Sequence, residues 1–202
     1  MFIPRAYKRL KRGPQVILPK DIGIVIAYTG IGKESRCVDA GAGSGWLAIS
    51  LARICKEVTA YDIRGDFLKI VEKNRKAEGL ENLILKEGDV AKKMNERELD
   101  LVTLDLPNSE RAVGRAYKAL REGGHIFGYL PHMEQAKKFI GKMEHYRFSE
   151  IVVLEAIVRE MLVRKEGSRP TTKGVWHTGY LVFGTKPAAE AKAKQPKEKV
   201  QE

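Results

Sequence analysis

A glycine-rich segment near residue 40 is the part of the sequence best suited to hold a ligand. It reads DAGAGSG over residues 39–45, follows a short apolar run and precedes a helical pattern. Glycines let the backbone turn tightly and approach a ligand closely. The segment does not match the dinucleotide fingerprint GxGxxG, because its third glycine comes one residue early and position 46 is Trp. A glycine-rich turn without a ligand is the alternative interpretation.

Acidic residues recur where three later strands of the predicted sheet end. Asp62 closes the second strand, Asp89 the third and Asp105 the fourth. A carboxylate at the first position can accept both hydroxyls of a ribose, and one at the second can accept a hydrogen bond from an adenine amino group. Asp105 could accept a bond from a base amino group and balance a developing positive charge. Each acid taken alone could instead be a turn or cap residue.

The elements that would position these residues alternate between strand and helix from residue 20 to about 147. Apolar runs predict strands at 35–41, 57–62, 83–89, 99–107 and 125–131, and helical patterns lie at 20–31, 44–55, 65–78, 109–121 and 132–145. The helix at 109–121 is expected to stop at Gly123-Gly124. Such alternation predicts a mainly parallel, doubly wound α/β sheet. Sheets of this kind bind ligands at the carboxyl ends of their strands.

The pattern changes after residue 147. Two long β-type runs, 148–164 and 177–186, are joined by a basic loop that contains Gly and Pro. They predict an antiparallel pair at the edge of the sheet. Residues 187–202 lack apolar periodicity and are expected to form a disordered tail. We therefore divide the chain into a basic leader (1–12), one α/β domain (13–186) and this tail.

The net charge of +11 is concentrated in two segments. Residues 1–33 contain seven Lys and Arg against one acid, and residues 159–173 contain five against two, whereas basic and acidic residues nearly cancel elsewhere. Two basic patches favour a polyanion as partner, with nucleic acid as the first candidate and a solvated basic surface as the alternative. The candidate phosphate-binding residues are Arg5, Lys8, Arg9, Lys11, Arg12, Arg164, Lys165, Arg169 and Lys173.

Composition argues against several other classes of protein. No stretch approaches the roughly 18 apolar residues of a membrane span, and the start MFIPRAYKRLKRG lacks the apolar core of a secretory signal. Two cysteines cannot build a disulfide scaffold or a zinc site, and the four histidines have no ligand spacing. We therefore expect a cytoplasmic protein without a metal centre.

Further segments point to one family. GxGxG after an acid is typical of S-adenosylmethionine-dependent methyltransferases, and the chain as a whole resembles the tRNA (adenine-N1) methyltransferases that modify position 58 of the T loop. The matching segments are RGPQVILPKD (12–21), VDAGAGSGWLAISLA (38–52), YDIRGDF (61–67), LDLP (104–107), GYLP (128–131), IVREMLVR (157–164) and GVWHTGYLVF (174–183). The Pro-Lys-Asp segment and the final HTGYLVF are the most particular to this family.

The resemblance implies a Rossmann-like class I methyltransferase domain that assembles as a homotetramer. The methyl donor would be S-adenosyl-L-methionine and the acceptor N1 of adenine 58 in tRNA, with position 57 left open. Asp105, Tyr129 and His177 would lie at the acceptor base, although Tyr129 could instead be a core aromatic and His177 a satisfied edge residue. The predicted cofactor residues are Gln15, Asp39, Gly41, Gly43, Ser44, Gly45, Asp62, Asp89 and Asp105.

Three features depart from the family, one of which is that Ser109-Glu110 stand after the fourth-strand aspartate where members often have a Pro-Trp pair. Leu18 stands where members usually have an aromatic residue. The small N-terminal domain of the family is expected to be missing, so the leader and the 165–176 loop would have to bind the phosphates. A corrinoid-pathway type of small-molecule methyltransferase, a protein methyltransferase and a non-catalytic tRNA-binding subunit are the alternatives. The intact glycine motif and Asp62 argue against the last of these.

Overall fold

Seven strands form one sheet in the computed structural model, which describes residues 2–13 and 15–188. They are β1 (Arg36–Ala40), β2 (Glu57–Asp62), β3 (Leu83–Glu87), β4 (Leu99–Leu104), β5 (Leu120–Leu130), β6 (Ser149–Glu155) and β9 (Tyr180–Thr185). The order across the sheet is β3-β2-β1-β4-β5-β9-β6. The first five pair in parallel, and β9 runs antiparallel to β5 and β6. This confirms the predicted parallel sheet with an antiparallel edge pair.

Helices cover both faces of the sheet. They are α1 (Arg5–Lys8), α2 (Pro19–Thr29), α3 (Trp46–Ala52), α4 (Gly65–Glu78), α5 (Val113–Ala119) and α6 (Met133–His145), with a 3-10 turn at Ser109–Arg111. Apolar residues of α2, α3 and α4 form one buried cluster, and those of α5 and α6 form a second. Within the part of the chain that the structure describes, no helix has the length and apolar character needed to cross a membrane.

The strand order reverses direction at β1, because β2 and β3 follow on one side and β4 and β5 on the other. A crevice opens at such a reversal, outside the carboxyl ends of the two neighbouring strands. The glycine-rich loop follows β1 and Asp105 follows β4. The topology therefore brings the two main sequence motifs to one place.

Two predicted boundaries are wrong. Gly123-Gly124 do not stop a helix, since α5 ends at Ala119 and β5 begins at Leu120. Both glycines pair with Lys186 beyond β9, through two backbone hydrogen bonds of 2.8 Å. The run 148–164 is not one strand either, because β6 ends at Glu155 and the short strands β7 (Met161–Leu162) and β8 (Arg169–Pro170) form a separate hairpin. The predicted tail lies largely outside the described residues.

The leader packs against the glycine-rich loop. Asn74 of α4 is fully buried, and its side-chain oxygen accepts a hydrogen bond from the backbone N–H of Lys11 at 2.7 Å. Its amide nitrogen donates to the backbone oxygens of Lys11 and Ser44, both at 2.9 Å. The Tyr7 hydroxyl lies 2.8 Å from that of Ser50 on α3. The leader and the loop are therefore joined by one buried amide.

Candidate active site

The glycine-rich loop is shaped by close backbone packing on one side and open space on the other. A Cβ atom on Gly41, where φ is +84°, would lie 1.9 Å from the backbone oxygen of Asp105. Gly43 has φ of +54°, yet a Cβ there would meet only the oxygen of Gly41, at 4.0 Å. A Cβ on Gly45 would lie 2.8 Å from Val71 of α4. The first and third glycines thus allow packing, and Gly43 leaves room for a ligand.

Asp62 fixes the loop to the end of β2. Its carboxylate accepts hydrogen bonds from the backbone N–H groups of Gly43 and Arg64, each at 2.9 Å. Ile63 between them is 64% exposed although it is a large apolar residue. Such a side chain is suited to pack on a flat apolar group such as an adenine ring. Ile63 was not among the predicted site residues, although an apolar residue directly after the acid that ends a strand is a signal visible in the sequence.

Two further carboxylates lie beside the loop, close enough to Asp62 to be affected by its negative charge. Asp39 is buried and accepts a hydrogen bond from the Thr103 hydroxyl at 2.6 Å. Burial raises its pKa to about 6, against the effect of that bond, and the charge of Asp62 adds to the rise. Burial and the charges of Asp39 and Asp62 raise the pKa of half-buried Asp105 to about 7. A cation bound here would favour the ionised forms.

Asp105 differs from the other two carboxylates in its hydrogen bonding. Asp62 is satisfied by backbone N–H groups, and Asp39 by Thr103 and the backbone of Ala48. Among the described residues, no N–H or O–H group donates to the carboxylate of Asp105. It is therefore the carboxylate best placed to interact with a ligand or substrate.

A cavity of about 40 Å³, the acidic cavity, lies against the loop. Six of the predicted cofactor residues line it: Gln15, Asp39, Gly41, Gly43, Ser44 and Asp105. Asp62 does not line the cavity but is hydrogen-bonded to Gly43, which does. Asp89 lines neither cavity, and one of its carboxylate oxygens accepts a 2.8 Å hydrogen bond from the backbone N–H of Ala91. Within residues 2–13 and 15–188, no group of three or more His, Cys, Asp or Glu side chains could hold a metal ion.

A second cavity of about 360 Å³, the larger cavity, adjoins the first. Gln15 and Val16 line both, so the two cavities meet at this segment. Tyr129 and His177 line the larger cavity, as does Leu18. Asp105 thus lines the acidic cavity and Tyr129 and His177 line the adjoining larger one, and the charge of Asp105 contributes to the raised pKa of Tyr129.

A buried polar cluster holds the wall of the larger cavity. Asp21 at the start of α2 is fully buried and pairs with the Lys20 ammonium at 2.6 Å. The Thr178 hydroxyl donates to Asp21 at 3.0 Å, and the Tyr129 hydroxyl donates to the backbone oxygen of Thr178 at 2.7 Å. Burial raises the pKa of Tyr129, so it remains a donor. Lys20 and Asp21 belong to the Pro-Lys-Asp segment, and the sequence alone indicated no role for either of them.

His177 links the ends of two strands. Its Nδ1 lies 2.6 Å from a carboxylate oxygen of Glu155, and its Nε2 lies 2.9 Å from the backbone oxygen of Pro131. Both partners are acceptors, so both ring nitrogens must donate and the ring is an imidazolium when both bonds form. Glu155 and, to a lesser extent, the Pro131 carbonyl raise the pKa of His177. His177 therefore positions the wall of the larger cavity.

Two solved structures with this architecture are methyltransferases. A crystal structure of an S-adenosylmethionine-dependent O-methyltransferase from Thermotoga maritima is 29% identical, covers 92% of this chain and 72% of its own, and has a TM-score of 0.86. A tRNA (m1A58) methyltransferase, TrmI, from Aquifex aeolicus is 27% identical, with coverage of 92% and 77% and a TM-score of 0.85. Together, the strand order, the glycine loop and the strand-end acids define a class I methyltransferase.

The family is shown by the sequence comparisons. Residues 8–168 match the model of the GCD14 family, described as tRNA methyltransferase complex GCD14 subunit. A tRNA (adenine(57)-N(1)/adenine(58)-N(1))-methyltransferase TrmI from Methanocaldococcus jannaschii is 36% identical, over 95% of this chain and 78% of that protein. The chain therefore belongs to the GCD14 family of tRNA methyltransferases.

The carboxylates beside the loop predict an unusual dependence of stability on pH. The folded-state pKa values of Asp39 and Asp105 lie above the ordinary value of 3.8. The stability linked to them is thus complete below pH of about 4 and is lost as pH rises through about 6 and 7. Asp105→Asn should therefore raise the free energy of unfolding at about pH 8 by on the order of 1–2 kcal/mol, with little effect at about pH 4.5.

Denaturant unfolding of the ligand-free protein at several pH values measures this effect. Asp66→Asn is the matched control, because Asp66 is exposed and Arg64 lowers its pKa. The stability contributed by the Asp66 carboxyl is lost only as pH falls through its lowered pKa. Asp66→Asn should therefore leave the difference in the free energy of unfolding between pH of about 5 and about 8 as it is in the parent protein. An equal difference in the parent and Asp105→Asn would contradict the assignment.

Proposed function

We propose that the protein methylates N1 of adenine 58 in the T loop of tRNA with S-adenosyl-L-methionine as donor. The observation that carries the proposal is the pairing of an acidic cavity on the glycine loop with a larger adjoining cavity across the Gln15 segment. Position 58 appears in the names of the relatives from M. jannaschii and A. aeolicus, and the first is also named for position 57. Membership of the GCD14 family favours this reading over a small-molecule or protein acceptor.

The residues that line the acidic cavity suit the charged part of the proposed cofactor, and the rest of that molecule must extend beyond its volume of about 40 Å³. S-adenosyl-L-methionine supplies a methyl group that is already activated on a positively charged sulfur. Asp39 and Asp105 offer negative charge to such a cation, and Gly43 leaves space against the loop. The Ser44 hydroxyl is buried and has no hydrogen-bond partner among the described residues, so a polar ligand group would satisfy it. The open loop argues against a subunit that has lost the cofactor.

The larger cavity is the proposed place of the target base. Its volume of about 360 Å³ falls within the range of small-molecule sites, roughly 300–1,000 Å³. Adenine N1 carries a lone pair and needs no strong base, so positioning supplies most of the catalysis, up to about 7–11 kcal/mol. Tyr129 and His177 would hold the cavity wall in place. The base must leave its stack in folded tRNA, at a cost of a few kcal/mol.

Asp105 is the proposed catalytic carboxylate. It lies in the acidic cavity, and its charge contributes to the raised pKa of Tyr129 in the larger one. Its carboxylate has no donor among the described residues. It can therefore accept a bond from the amino group of the base, and its attraction grows as positive charge develops on the ring.

The basic residues remain the proposed phosphate contacts. All nine are exposed, five on the leader and four on or beside the hairpin of β7 and β8. Large apolar side chains are exposed near that hairpin, with Met161 at 56% and Val163 at 81%. A second copy of the chain would bury them, which supports the proposed homotetramer. We place this tRNA-modifying assembly in the cytoplasm.

Two substitutions should separate cofactor binding from catalysis. Asp62→Ala removes the acceptor of the Gly43 and Arg64 N–H groups, so binding of S-adenosylhomocysteine should weaken strongly. Asp105→Ala should retain most of that affinity and lose about 100-fold or more in turnover. Calorimetry and label transfer to a tRNA transcript measure the two effects, with exposed Asp66→Ala as the control. Equal losses of affinity in both variants would contradict the assignment of Asp105 to the acceptor.

The leader should account for much of the salt dependence of tRNA binding. Replacing Arg5, Lys8 and Arg9 by Ala should reduce the slope of log K against log salt by about 2–3, since each phosphate contact contributes about 0.7–0.9. Affinity for S-adenosylhomocysteine should not change, because these side chains line neither cavity.

A matched control removes three exposed lysines from α6, on the other face of the sheet: Lys137, Lys138 and Lys142. This variant has the same change in net charge and should keep the parent's slope. A salt titration of tRNA affinity compares the three proteins. If the α6 variant loses the slope and the leader variant keeps it, the phosphate-binding surface lies on the other face.

A further inference from the structure

Two buried donors next to the glycine loop have no hydrogen-bond partner among the described residues. They are the hydroxyl of Ser44 and the indole Nε1–H of Trp46, and both residues line the acidic cavity. Trp46 is only 4% exposed. A buried donor without an acceptor is destabilising, so such groups are nearly always satisfied by protein, water or ligand. Because both residues line one cavity, a ligand bound there could bring an acceptor to this end.

The indole is held where it is by the leader. The ring of Tyr7 lies 5.2 Å from that of Trp46, and the guanidinium of Arg12 lies 5.9 Å from the same ring. An indole N–H can only donate, so what Trp46 lacks is an acceptor. The leader packs on this ring and is joined to the glycine-rich loop through the side chain of Asn74.

The polar groups around the acidic cavity are of two kinds. The hydroxyl of Ser44, the N–H of Trp46 and the nearby Arg12 offer donors and positive charge. Asp39 and Asp105 offer carboxylates. A ligand that carries both an anionic and a cationic group would satisfy both sets, and a free amino acid moiety has this character. A carboxylate is the acceptor that a buried pair of donors binds most strongly.

We propose that Trp46 Nε1–H donates a hydrogen bond to the carboxylate of the methionine part of S-adenosyl-L-methionine, beside the hydroxyl of Ser44. The proposal rests on the proposed function, because it takes this cofactor as the ligand of the acidic cavity. It also gives a role to Trp46, which stands where a dinucleotide fingerprint would have its third glycine. Trp46 would then bind one end of the cofactor, and Asp39 and Asp105 would face its positive charge.

The test compares two ligands in three proteins. S-adenosylhomocysteine carries the carboxylate, and its decarboxylated analogue keeps the amine and the adenosine. Trp46→Phe should weaken S-adenosylhomocysteine roughly 10-fold or more, as expected for a lost bond to a charged group, and should change affinity for the analogue less than about threefold. Trp176→Phe is the control, since Trp176 is the other tryptophan, is 42% exposed and lines neither cavity. It should leave both affinities unchanged.

A second readout does not depend on the Trp46 variant folding. The Trp176→Phe variant retains Trp46 as its one tryptophan, so tryptophan fluorescence reports on Trp46 alone. Its emission should change much more on addition of S-adenosylhomocysteine than on addition of the decarboxylated analogue. Equal weakening of both ligands by Trp46→Phe, or equal emission changes with both, would overturn the proposal and leave Trp46 a packing residue. If the parent protein binds no S-adenosylhomocysteine, the proposed cofactor itself is wrong, and this inference falls with it.

Discussion

Three carboxylates meet at the carboxyl ends of neighbouring strands, and the arrangement of the site follows from how their charges are compensated. Asp62 is satisfied by two backbone N–H groups, and Asp39 by a hydroxyl and a helix N–H. Asp105 has burial and like charges around it and no donor among the described residues. Such a group is costly to ionise in the free protein. A bound cation relieves that cost, which is why this edge suits a sulfonium donor and a base that becomes positive.

The leader is part of this site as well as a basic segment. Asn74 joins the backbone of Lys11 to that of Ser44, and Tyr7 and Arg12 lie against the ring of Trp46. The leader, which carries five of the proposed phosphate-binding residues, therefore contacts the glycine-rich loop and the helix that follows it through buried side chains.

The sequence was sufficient to predict what depends on local pattern and simple topology. The glycine loop and the acids at 62 and 105 follow apolar runs, and parallel strands place their carboxyl ends together. Contacts between distant segments were not predictable in this way. Lys20 donates to Thr178 across 158 positions of the chain, and pairing of Gly123-Gly124 with Lys186 turns a helix-stop signal into strand. The roles of Asp89 and of the leader residues stay predictions.

The central claim is that the carboxylates of the acidic cavity are arranged to hold a positive charge. The most direct measurement is the ratio of the affinities for S-adenosylmethionine and S-adenosylhomocysteine, which differ by the sulfonium, between about pH 5.5 and about pH 7. Because Asp39 and Asp105 ionise at about 6 and about 7, the ratio should rise severalfold over this range. Asp105→Asn should flatten the rise. A ratio that is constant with pH in the parent protein would contradict the account.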